Sequence, residues 1–83
     1  MKAEVYITLK NGVLDPQGKA TQNSLEHLGF GNVQSVRQGK FIEVEIDAAD
    51  VPSAETQLKD MCEKLLANTV IENYSFKILE EAA

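Results

Sequence analysis

The sequence predicts an α+β domain with the element order β-α-β-β-α-β. Three observations lead there. Stretches near the start, middle and end alternate apolar with polar residues at the two-residue period of a half-buried strand. Two stretches between them open on Asp and Pro and continue with apolar residues at three- and four-residue steps, the signature of an amphipathic helix. No low-complexity tract or repeat interrupts the 83 residues, which are expected to form one domain, residues 1–83.

The first strand is read from Ala3 to Leu9, with Ala3, Val5, Ile7 and Leu9 on one side and Glu4, Tyr6 and Thr8 on the other. Asn11-Gly12 breaks it. Asp15 then serves as N-cap and Pro16 fills the first helical position, where a missing N–H costs nothing. Ala20, Ser24, Leu25 and Leu28 form a thin apolar stripe, and Gly29 suits a left-handed C-terminal turn. Val33 to Asp47 reads as a hairpin around Gln38-Gly39. Its second arm puts Ile42, Val44 and Ile46 inward and Glu43 and Glu45 outward; the first arm offers only Val33 and Val36. Asp50 caps the second helix, which has Pro52 in its first turn and a core stripe of Ala54, Leu58, Met61, Cys62 and Leu65. Asn68 is the expected C-cap. The last strand, Val70 to Leu79, alternates Tyr74, Phe76 and Ile78 with Asn73, Ser75 and Lys77, and Glu80 to Ala83 is expected to fray. This order is that of the ferredoxin-like sandwich, a four-stranded antiparallel sheet with both helices on one face.

The net charge of −5 and the scattering of eight Lys and Arg argue against a nucleic-acid backbone or an anionic membrane as partner. The third strand lacks the basic, aromatic-rich motif of an RNA-binding sheet, since Phe41 stands alone ahead of Glu43 and Glu45. One cysteine, Cys62, permits no internal disulfide and fits the cytoplasm. No apolar run reaches the roughly 20 residues of a membrane span, and the strand pattern begins too early for a signal peptide.

The search for chemistry finds no reactive set. Gly12 to Thr21 (GVLDPQGKAT) mimics a phosphate loop, but five residues separate its glycines and Ala20 occupies the hydroxyl position. A capped helix start explains it better. Gly18 falls where helical Gly costs about 1 kcal/mol relative to Ala, so either another backbone approaches there or the loop tolerates it. Cys62 lies on an apolar helix stripe, as a structural cysteine does. His27, the only histidine, complements a helix C-terminus, and Glu43 with Glu45 solubilise an exposed strand face. Arg37 and Lys40 beside Gly39 are read as an acid-binding turn or a solvated one.

Three stretches carry a resemblance: LKNGVLDPQG from Leu9, VRQGK from Val36, and MCEKLLANTVIENY from Met61. With the chain length and strand order they resemble the PurS family over nearly the whole chain. The most specific parts are Val13 to Gly18 and Leu65 to Glu72. The resemblance implies a non-catalytic small subunit of phosphoribosylformylglycinamidine synthase in purine biosynthesis. Such a subunit binds the glutaminase subunit and the large ATP-dependent synthetase, assists ammonia transfer between them, and forms homodimers or tetramers. It implies no cofactor on this chain, while the complex uses ATP and magnesium. The expected partner surfaces are Asp15, Pro16, Gln17 and Gly18, then Arg37, Gly39 and Lys40, then Asn68 and Glu72. Tyr6, Thr8 and Phe41 would lie on the uncovered sheet face and serve self-association. The alternative on the same fold is a regulatory domain that binds small molecules of the amino-acid-sensing type.

Overall fold

A computed structural model describes residues 1–79, so the predicted fraying of Glu80 to Ala83 falls outside the described residues. Its elements are β1 (Lys2–Leu9), α1 (Pro16–His27), β2 (Gly39–Glu45), α2 (Val51–Met61), a π-helical turn (Cys62–Leu66) that continues α2, and β3 (Glu72–Leu79). The sheet is antiparallel, in the order β2-β1-β3. Val5 sits between Ile42 and Phe76, and Ala3 between Val44 and Ile78, so one face collects the apolar side chains of all three strands. α2 lies on that face. Leu58, Cys62 and Ala67 close over Ala3, Val5 and Ile7 to form the core.

The capping chemistry is as the sequence predicts. Asp15 Oδ1 accepts from the Gly18 amide at 2.9 Å, and Asp50 Oδ1 accepts from the Ser53 amide at 2.8 Å. At the end of α1 the amide of Gly29 donates to Glu26 and that of Phe30 to Leu25. These are the two bonds of a Schellman motif, with Gly29 at φ +100°. Gly12, at φ +87°, turns the chain after β1 through a Val13 to Lys10 bond of 3.1 Å.

Three expectations are corrected. Among the described residues the sheet has three strands, not the four expected. The predicted first hairpin arm, Val33 to Arg37, forms no strand and runs back beside α1, where Gln22 Nε2 donates to the Gln34 carbonyl at 3.2 Å. Its two valines are three residues apart, which gives a strand no continuous apolar side. Nor do both helices cover the sheet: α1 makes no substantial contact with it, and the chain has a radius of gyration of 16.4 Å. A compact chain of this length has about 12 Å. Finally, Leu65 does not join the core stripe. The Ala67 amide bonds the Cys62 carbonyl, five residues back, at 3.0 Å. This wider turn stacks buried Ala67 on Cys62, leaves Leu66 half-buried and carries Leu65 out to 83% exposure. The helix therefore ends at Leu66, and Asn68 acts one step later as the hinge of a turn. Its side chain accepts from the Val70 amide, and its carbonyl from those of Ile71 and Glu72.

A candidate partner interface at one end of the sheet

β1 ends where β2 and β3 begin, and this end of the sheet gathers the three predicted partner segments. Asp15 is the link between them. Its Oδ1 caps α1, while Oδ2 accepts from the Gln38 amide at 2.9 Å, so one carboxylate ties the start of α1 to the start of β2. The Gln38 and Gly18 amides, helped by the charge of Arg37, hold this carboxyl below the usual carboxylate range. Arg37 Nη2 donates to the carbonyl of Leu9 and pins the same junction to β1. Gly18 is buried, and a Cβ there would lie 2.6 Å from the carbonyl oxygen of Val36. Close backbone approach is therefore the reason for the glycine. Gly39 meets a similar limit against the carbonyl of Ile7, its neighbour across the β1–β2 pair.

The third segment joins through Glu72. Its Oε2 lies 3.6 Å from Lys40 Nζ, and its Oε1 accepts from the Asn68 amide at 2.7 Å. The Lys10 amide donates to the Ile71 carbonyl at 2.8 Å, closing the β1 and β3 ends together. Asp15, Gln17, Gln38, Gly39, Lys40 and Glu72 line a concavity of about 200 Å³ between these loops. Pro16, Arg37 and Asn68 stand exposed around them. The geometry suits a contact surface: charged and amide groups of both signs, fixed by main-chain bonds and open to solvent.

The residues expected to serve self-association lie on the opposite side of the sheet from α2. Tyr6 and Phe41 pair across β1 and β2, with ring centroids 5.4 Å apart and planes 22° from parallel, and Thr8 follows beside Gly39. The rings stand in an acidic setting, where Tyr6 Oη donates to Glu4 at 3.0 Å and Lys2 pairs with Glu43 at 2.7 Å.

Cys62 is fully buried, and that burial, with Glu63 nearby, pushes its thiol upward in pKa, away from the thiolate a nucleophile needs. Among the described residues no three His, Cys, Asp or Glu side chains gather as a metal set, and no helix is long and apolar enough to cross a membrane. Sequence reasoning missed two participants. Gln38 acts through its main-chain amide, which leaves no trace in residue type. Tyr74 packs against the core as its place in the alternation predicts, but its hydroxyl also donates to Glu63 Oε1 at 2.8 Å, tying β3 to the π turn, which the alternation does not record.

Fold and site together define a small α+β protein with three loop segments fixed together at one end of its sheet. Residues 2–80 match the profile of PurS, phosphoribosylformylglycinamidine (FGAM) synthase, and the chain belongs to the PurS family. It is 53% identical over 74 residues to the phosphoribosylformylglycinamidine synthase subunit PurS of Synechocystis, which spans 89% of this chain and 74% of that protein. The crystal structure of Methanocaldococcus jannaschii PurS, one of the subunits of formylglycinamide ribonucleotide amidotransferase in the purine biosynthetic pathway, superposes with a TM-score of 0.87. That chain is 41% identical, with 98% of each chain covered. A chain in the structure of PurLQS from Thermotoga maritima matches with a TM-score of 0.86 at 31% identity, covering 94% of this chain and 95% of that one.

Proposed function

We propose that this chain is the non-catalytic small subunit of phosphoribosylformylglycinamidine synthase. It acts as a homodimer or a pair of dimers, joins the glutaminase subunit to the ATP-dependent synthetase, and assists ammonia transfer between them. ATP and magnesium belong to the synthetase partner. One observation supports this above the rest: three loop segments, far apart in the chain, are locked into one exposed rim by Asp15, Arg37 and Glu72. A scaffold presents contacts from such a rim, and the match to a chain of PurLQS supports a place in that assembly.

The experiment is co-purification with the two partner subunits, with glutamine-dependent and ammonia-dependent activity measured with and without this chain. Glutamine-dependent turnover is expected to need it, while ammonia-dependent turnover by the synthetase is not. Lys40→Glu, at an exposed side chain, is expected to weaken the complex and lower its salt dependence with the circular dichroism unchanged. Turnover by the isolated chain, or glutamine-dependent activity that ignores its removal, would overturn the reading.

A further inference from the structure

Asn11-Gly12 sits in the turn between β1 and α1, and both residues are exposed. One bond holds the turn, from the Val13 amide to the Lys10 carbonyl at 3.1 Å, and it spans the pair without engaging either residue. Among the described residues the Gly12 amide donates to nothing, and the Asn11 side chain has no hydrogen-bond partner. Gly12 has φ +87°, and no atom lies within 4 Å of where its Cβ would be. A carboxamide thus stands beside a main-chain N–H that nothing else holds, and the residue that carries this N–H has no side chain to block approach. The other asparagines lack this arrangement. Asn23 lies within α1 and Asn73 within β3, where regular structure fixes the main chain. The amide after Asn32 belongs to β-branched Val33 and donates to the Phe30 carbonyl at 3.2 Å. Asn68 is followed by β-branched Thr69, and its side chain is engaged by the Val70 amide at 3.2 Å.

We propose that Asn11-Gly12 is a self-modification site, at which the folded chain converts its own asparagine to isoaspartate and aspartate. The Gly12 nitrogen attacks the side-chain carbonyl carbon of Asn11. The new C–N bond closes a succinimide ring, and the carboxamide nitrogen leaves as ammonia, taking the proton of the Gly12 amide with it. Water, the sole co-reactant, then opens the ring. Opening at the side-chain carbonyl gives aspartate. Opening at the main-chain carbonyl gives isoaspartate, whose backbone runs through the former side chain and is longer by a methylene. Either product adds a negative charge next to Lys10. The turn lies between the Leu9 carbonyl, which accepts from Arg37, and Asp15, which caps α1. The lengthened main chain therefore enters the junction between the sheet and the start of α1. The bond from Val13 to Lys10 crosses the altered link and loses its register.

The test incubates the purified full chain at physiological temperature in mildly alkaline buffer, beside the Asn11→Gln variant and a synthetic peptide of Leu9 to Gly18. Products are read by peptide mass mapping and by methyl transfer from an isoaspartyl methyltransferase. In the folded chain, Asn11 is expected to convert about tenfold or more faster than any other asparagine. Asn11→Gln, whose longer side chain would have to close a larger ring, is expected to accept no methyl groups above background. The converted protein is separated by its added charge and examined by hydrogen exchange. The Val13 amide should lose its protection, while the Lys10 amide, which donates to the Ile71 carbonyl at 2.8 Å, should keep it. An intact Asn11 in the folded chain overturns the proposal, and conversion of the peptide beside it would show that the fold protects the pair. Conversion spread evenly over the asparagines overturns it as well. Protection at Val13 that survives conversion to isoaspartate overturns the structural consequence.

Discussion

Asp15 does two jobs with one carboxylate, and each is visible in the acidity of the group. The Gln38 and Gly18 amides favour its ionised form and hold its pKa below the ordinary range. A carboxyl depressed on folding contributes its stability fully above the unfolded value of about 3.9 and loses it as pH falls through the lower folded value. Thermal melts of the unaltered chain and of Asp15→Asn, taken between about pH 5 and pH 2, should therefore converge as the solution becomes more acid. Parallel curves would mean that the carboxylate charge is not what holds the junction. Half of this role was legible in the sequence, because Asp15-Pro16 is a local capping signal. The other half was not. Gln38 lies 23 residues away and contributes a main-chain amide, so no side-chain pattern records it. For Gly18 the sequence posed the choice between tolerance and close approach, and the carbonyl of Val36 decides it.

Among the elements, periodicity identified those whose period stays regular. β1 and β3 alternate cleanly, and both helices begin at the Asp caps the sequence marks. It failed where the period changes within an element. The step from α-helical to π-helical winding at Cys62 has no signature in residue type, so a regular extrapolation put Leu65 in the core. The two leucines on either side of that change make the point measurable. Leu58→Ala should cost about 2–5 kcal/mol, because it empties a fully buried site over β1. Leu65→Ala, at an exposed position, should stay within about 0.5 kcal/mol in urea denaturation of the isolated chain. Comparable losses at both positions would restore the regular stripe. The hairpin failed for a different reason. Gln38-Gly39 does mark where a strand begins, but a turn signal does not reveal whether the preceding arm finds its strand partner within the same chain.

For the whole molecule, the chain is a thin plate with an arm, 50 × 31 × 14 Å in extent. Its two sheet faces are unlike. One carries the core and the half-covered valine and isoleucine of β2; the other carries the Tyr6–Phe41 stack among carboxylates. The aromatic face is the one expected to serve self-association. Tyr6→Lys with Phe41→Lys is expected to lower the mass measured by light scattering at micromolar concentration. An unchanged mass would clear that face of a role in self-association. Burial of Cys62 has a practical corollary for the assembled enzyme. The lone thiol of the chain is sealed beneath Leu58, and that burial raises its pKa. A thiol-alkylating agent that silences the proposed assembly without unfolding this protein is therefore expected to have struck one of the companion subunits.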